Sequence, residues 1–238
     1  MSPDRTNAAG EAPVAGNGSG ASLVLPGRYR AVVFDMDGLL LDTEPLWVRA
    51  EAELLARHGH AFSEADAVAT HGRSIQDTIA AYALRFGTAD PAEIRAELLE
   101  LMGRQYATGP TVMPGVRELL AALHGHVPMA VASNTASSLV RPALGAAGLL
   151  SSFDAVCCGA DLGRAKPWPD VYHCACDALG VAPADAIAFE DSPTGVQSAR
   201  AAGLTAVGVP ERAGMERPLL DAGADLIIDS LADVVVEG

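Results

Sequence analysis

Long hydrophobic runs, aromatic side chains and positive charge are all scarce in this 238-residue chain. No stretch approaches the ~20 apolar residues of a transmembrane helix, so no membrane partner is expected. Only 5% of the residues are aromatic while half are apolar, so a core must be built mainly from Ala, Val and Leu. Sixteen basic residues against thirty acidic ones leave a formal charge of −14. That balance argues against a general nucleic-acid or anionic-membrane surface. A phosphate can still be bound, but only by local positive charge: a metal ion, one lysine, helix N-termini. The four cysteines fall as Cys157-Cys158 and Cys174-Ala-Cys176, without a CxxC pair or zinc-ligand spacing. Reduced, structural cysteines in a cytoplasmic protein are the expectation. The six histidines are scattered without ligand spacing and receive no role. Residues 1–27, rich in Gly, Ala, Ser, Asn and Pro, lack the basic start and apolar core of a secretory signal. They are expected to be a disordered extension or a vector-derived tail.

What is present begins at Ala31-Val-Val-Phe-Asp-Met-Asp-Gly. The apolar run suits a strand buried on both faces of a parallel sheet. Asp35 and Asp37 then fall just past its carboxyl end, where such sheets place their chemistry. In extended backbone i and i+2 point to the same side. Two carboxylates so close repel unless a cation lies between them or one holds a proton. An ordinary Asp-Gly turn explains the same residues equally well.

Residues 44–111 show four helical patterns, near Glu44–Gly59, Glu64–Ala69, Ile75–Phe86 and Pro91–Tyr106. From Val127 onward strands and helices alternate, with strands ending at Ser133, Cys158, Phe189 and Val209. The pattern predicts an α/β fold: a Rossmann-like parallel sheet with helices on both faces, interrupted by an inserted all-helical cap. The core comprises 28–43 and 112–238, and the cap 44–111. The C-terminal Leu231–Gly238 is expected to close the core.

Three further strings sit at predicted strand ends. Glu190-Asp191-Ser192-Pro193 follows Ala186–Phe189. Its Ser-Pro reads as an N-cap and first helical residue. Two adjacent acids beside a buried strand need a partner of their own, because desolvation is costly. Mg²⁺, which takes oxygen ligands and keeps several waters, suits Asp35, Asp191, Glu190 and the main-chain carbonyl of Asp37. Ser133-Asn134-Thr135 is either a capping turn or a phosphate cradle at a helix start. Lys166, in Gly163-Arg-Ala-Lys-Pro167, would on its own be a solvated surface residue.

Together Phe34–Trp47, Val131–Thr135, Lys166–Asp170 and Glu190–Gly195 resemble, in order, the four motifs of the haloacid dehalogenase-like hydrolases, closest to the β-phosphoglucomutase-like branch and its sugar-phosphate phosphatases. The resemblance implies a nucleophile at Asp35, a general acid/base at Asp37 and an electrostatic clamp at Lys166. It further implies phosphate binding by Ser133 with help from Asn134, and Mg²⁺ held by Asp35, Asp37, Glu190 and Asp191. The implied function is hydrolysis of small phosphomonoesters, hexose or hexitol phosphates above all, by a cytoplasmic monomer. In β-phosphoglucomutase a hinge histidine follows the first motif, and Trp47 stands at that place here. This favours a phosphatase over a mutase. Phosphoglycolate and a non-enzymatic sugar-phosphate-binding role stay open. Glu44, Trp47 and, from the cap turn, Arg73 are candidates to contact the substrate.

Overall fold

The computed structural model of the protein describes residues 23–70, 75–87 and 90–237. Strands β1 (Leu23–Leu25), β2 (Ala31–Phe34) and β3 (Leu41–Asp42) lead into four helices, α1 (Glu44–Arg57), α2 (Glu64–Thr70), α3 (Ile75–Phe86) and α4 (Pro91–Ala107). After β4 (Thr111–Val112) come α5 (Val116–Leu123), β5 (Met129–Ser133), α6 (Ser137–Ala146), β6 (Ala155–Cys158), α7 (Gly159–Leu162) and α8 (Asp170–Leu179). The chain ends with β7 (Ala186–Glu190), α9 (Pro193–Ala202), β8 (Thr205–Gly208), α10 (Glu216–Asp221), β9 (Leu226–Ile227) and β10 (Val234–Val236).

Six strands form one parallel sheet in the order β6-β5-β2-β7-β8-β9. The chain builds outward from β2 through β5 and β6, then returns to the other side of β2 with β7. That reversal opens a crevice beyond the carboxyl end of β2, the place where doubly wound sheets bind ligands. Phe34, the last residue of β2, pairs with Val131 on one side and Phe189 on the other.

Alternation along the strands sorts the core into two faces. Val32, Phe34, Val131, Ile187 and Phe189 meet the apolar sides of α5 and α6, and the Phe34 and Phe189 rings stack at 5.3 Å. Ala31, Val33, Ala130, Ala132, Ala186 and Ala188 face Val171, Tyr172 and Ala175 of α8 and Val196 and Ala199 of α9. Small strand residues on that side let α8 lie close to the sheet, and α8 carries Tyr172 to the strand ends.

The helical stretch forms as its periodicity predicts. Leu46, Ala50, Leu54 and Leu55 make the buried stripe of α1, and Glu51 is buried with them. This stripe packs on α4, whose Ile94, Leu98, Leu101, Met102 and Tyr106 are buried. The chain crosses between sheet and cap at β3 and β4, paired antiparallel with Leu41 opposite Val112. These two-residue strands carry no periodicity that a sequence pattern could register.

Two features depart from expectation. Leu23–Leu25, counted in sequence with the N-terminal extension, pairs in parallel with Val234–Val236, and Leu25 is fully buried. Two short apolar runs at opposite ends of the chain find each other only in the folded molecule. Residues 1–22 of that extension lie outside the described residues. Cys157 of β6 and Cys174 of α8 form a disulfide, with Cα atoms 6.1 Å apart, against the expectation of four reduced thiols. The close seating of α8 on the sheet brings their Cα atoms into bridging range. Cys158 and Cys176 are free and buried.

Candidate active site

The four motif strings converge. Asp35 follows β2, Ser133 ends β5, Lys166 follows β6 and Glu190 ends β7, all at the carboxyl edge of one sheet. Asp35, Glu190 and Asp191 each offer a carboxylate oxygen within 4.8 Å of the others. Asp35 and Glu190 are buried, at 6% and 0% exposure. Lys166 Nζ donates to Asp35 Oδ1 and to Glu190 Oε1, each at 2.5 Å.

The electrostatics follow from this crowding. Burial first, then the neighbouring charges of Glu190 and Asp37, push Asp35 well above the carboxylate range against the pull of Lys166. Asp191 is raised in the same way, by burial and then by Asp35, Glu190 and Glu211. Burial alone would lower the Lys166 ammonium, but Asp35 and Glu190 outweigh it and raise it, so it stays charged. One cation against three clustered acids, two of them buried, leaves an excess of negative charge that a divalent ion would neutralise. Hard oxygen donors of this kind suit Mg²⁺. The donor set therefore fits the ion.

Glu190 does more than contribute charge. Its Oε1 accepts Tyr172 Oη at 2.5 Å as well as Lys166, and its Oε2 accepts Ser192 Oγ at 3.1 Å. Ser192 also caps α9 by accepting from Gly195 N. Buried beside Glu190 and Asp35, the Tyr172 phenol is pushed well up and stays a donor. The glutamate thus aims Lys166 at Asp35. Asp35 and Asp191 are the carboxylates better placed to meet an ion directly.

Gly38 completes the ion side. Its φ is +84°, and a Cβ there would lie 2.3 Å from Asp191 Oδ2. The glycine that reads as a turn residue also makes room for the second carboxylate.

Asp37 points elsewhere. Its Oδ1 accepts Thr43 Oγ1 and Tyr106 Oη, both at 2.9 Å. Its Oδ2 accepts Ser133 Oγ at 3.1 Å and Thr135 Oγ1 at 3.0 Å. The side chain is outside the acidic group, which leaves only its main-chain carbonyl to serve an ion. Ser133 is fully buried, and its oxygen also accepts Thr135 N at 3.0 Å. Asn134 Oδ1 accepts the Lys166 main-chain N–H at 2.7 Å, tying the lysine segment to the end of β5.

The cap candidates are more scattered. Glu44 is exposed in the first turn of α1. Trp47, partly buried, packs on the core cluster. Arg73 lies outside the described residues. Sequence inspection misses Tyr106, Tyr172 and Thr43. Tyr172 lies in the first turn of α8, just past the Lys166–Asp170 string, and Tyr106 in the last turn of α4, and the acids they meet are distant in sequence. Thr43 lies inside the first string but reads there only as a helix start.

A family model of haloacid dehalogenase-like hydrolases matches residues 29–203. The fructose-1-phosphate phosphatase of Escherichia coli (strain K12) is 33% identical over 183 residues, which are 76% of this chain and 97% of that protein. The β-phosphoglucomutase of Bacillus subtilis (strain 168) is 29% identical over 220 residues, 87% of this chain and 92% of its own. A crystal structure titled as a putative β-phosphoglucomutase from Thermotoga maritima superposes with a TM-score of 0.74 at 28% identity, covering 86% of this chain and 95% of that one.

Proposed function

The chain belongs to the haloacid dehalogenase-like hydrolases, and on that premise we propose that it is a Mg²⁺-dependent phosphatase of small phosphomonoesters, hexose or hexitol phosphates above all. One observation carries the proposal: Asp35, Glu190, Asp191 and Lys166, from three separate strand ends, meet around one point at the carboxyl edge of the sheet. The relatives named phosphatases of sugar phosphates support the substrate class.

Mg²⁺, held by Asp35, Asp191 and the Asp37 main-chain carbonyl with Glu190 behind them, would screen the repulsion between carboxylate and phosphate dianion. A carboxylate of Asp35 attacks phosphorus, and the bond from phosphorus to the ester oxygen breaks. Asp37 gives its proton to that oxygen as the sugar leaves. Water then attacks the aspartyl-phosphate and returns a proton to Asp37, releasing phosphate and regenerating Asp35. Lys166 and the Ser133 hydroxyl stabilise the equatorial oxygens during both transfers. Asn134 secures the Lys166 segment. On the cap, Glu44, Trp47 and Arg73 are assigned to the sugar.

The test is phosphate release from a panel of sugar phosphates, with Mg²⁺ and then with EDTA. Release from a hexose or hexitol phosphate that stops with EDTA and returns with Mg²⁺ is expected. A coupled assay on β-glucose 1-phosphate with a bisphosphate primer reads the mutase reaction of the related enzymes. Activity there without net phosphate release would replace the phosphatase reading.

The enzyme is placed in the cytoplasm as a monomer acting on a small molecule. Among the described residues no helix is long and apolar enough to cross a membrane. A cytoplasmic location requires the Cys157–Cys174 bridge to be open in the cell, because that compartment keeps thiols reduced.

A further inference from the structure

Asp37 is the most densely hydrogen-bonded side chain of the site, and its four donors are of two kinds. A carboxyl group has about four hydrogen-bonding positions, counting lone pairs and any proton it holds, and Thr43, Tyr106, Ser133 and Thr135 each occupy one. The oxygen of a departing sugar can reach this carboxylate only when one donor yields. Ser133 and Thr135 stand at the end of β5, where the phosphate must sit, and a short hydroxyl rotor can turn from Asp37 to a phosphate oxygen. Tyr106 cannot yield so easily. Its side chain is fully buried in the α1–α4 core. Freeing it requires the cap to move.

We infer that Tyr106 is a positioning residue for the acid/base step: from the cap it holds Oδ1 of Asp37, and so leaves Oδ2 to exchange with the substrate. The inference rests on the phosphatase reading and on the role of Asp37 given above. The plain alternative is that Tyr106 only packs α4 and satisfies its hydroxyl on the nearest acceptor. The two differ in what the hydroxyl does to the leaving group.

The experiment compares Tyr106→Phe with the unaltered full chain on two substrates. One is the best sugar phosphate of the panel, whose alkoxide needs a proton to leave. The other is p-nitrophenyl phosphate, whose phenolate does not. For the sugar phosphate, kcat is expected to fall ~10- to 100-fold, within the range of general acid catalysis. KM should stay within ~2-fold, because the hydroxyl acts on the chemical step. On p-nitrophenyl phosphate kcat should change less than ~3-fold. Thr43→Val, which keeps the side-chain shape and removes the other donor to Oδ1 of Asp37, should give a smaller loss with the same asymmetry. It carries the test should Tyr106→Phe not fold.

Equal losses on both substrates, or no loss on the sugar phosphate, would overturn the inference. Asp37→Asn separates the two levels. Should that variant also lose both substrates equally, the acid/base role of Asp37 falls, and this inference with it. Should Asp37→Asn be asymmetric and Tyr106→Phe not, the inference alone fails.

Discussion

A Cβ on Gly195 would lie 1.9 Å from Oε2 of Glu190. Helix α9 starts so close to the end of β7 that only a hydrogen atom fits between its first turn and the carboxylate that holds Lys166 and Tyr172. Helix propensity alone favours alanine over glycine by ~1 kcal/mol. Crowding of the carboxylate should reverse that sign. Gly195→Ala is expected to lose at least ~2 kcal/mol of stability through overpacking, and kcat should fall more than ~10-fold as Lys166 loses its anchor. Urea unfolding and phosphate release measure the two effects. A stability gain would show that the helix start tolerates a methyl group.

Asp35 and Lys166 should respond in opposite ways to removal. Asp35→Asn takes one charge from an overcrowded anionic site, so the melting temperature should hold or rise while phosphate release drops below a few percent. Lys166→Met leaves buried acids without their cation, a change that typically costs about 3–5 kcal/mol. A Lys166→Met protein as stable as the parent would mean that solvent, not the lysine, balances Asp35 and Glu190. Retained turnover in Asp35→Asn would remove the nucleophile from the mechanism.

Metal-free protein should lose stability as pH rises. Asp35 and Asp191 hold their protons well above the usual carboxylate range in the folded protein, with burial the largest cause. The unfolded chain therefore gives up these protons first, and a raised carboxylate contributes stability at low pH that fades through its folded value. In EDTA the melting temperature is expected to decline as pH rises above the unfolded carboxylate value of about 4. Added Mg²⁺ binds the folded state and should raise it by mass action, most at the higher pH. Thermal melts at several pH values, with and without Mg²⁺, give both trends. A flat profile in EDTA would mean that the three acids are not mutually repulsive.

Thiol titration settles the redox state of α8 against the sheet. Unfolded without reductant, the chain should show the two thiols of Cys158 and Cys176, and reduction should release two more. The bridge spans 17 residues, a separation that includes the Lys166 segment. For a loop of that size the chain-entropy estimate is ~3 kcal/mol, so reductant should lower the melting temperature. Four thiols before reduction would restore the reduced chain that the cysteine spacing suggests.

The elements with the clearest local signal were legible from sequence. Ala155–Cys158 and Pro193–Ala202 form with the ends that pattern, proline and cap residues indicate. The buried stripe of α1 is the one that its periodicity draws. Asp35, Ser133, Lys166 and Glu190 stand out because each follows an apolar run, and a parallel sheet gathers strand ends along one edge. Leu23–Leu25 and Thr111–Val112 carried no such signal, since runs this short are strands only when a partner pairs with them.

The order of residue types along the chain was enough to determine the sheet, the helical insertion and the acids at the strand ends, because burial periodicity and strand-end placement are local properties. Which acid does what was decided only by tertiary structure. Glu190 turns to Lys166 and Tyr172, while Asp37 turns to Thr43, Tyr106, Ser133 and Thr135. Apart from Thr43, those partners come from elements far away in the chain. A carboxylate's protonation and direction depend on what surrounds it in space, and the linear order of residues does not carry that.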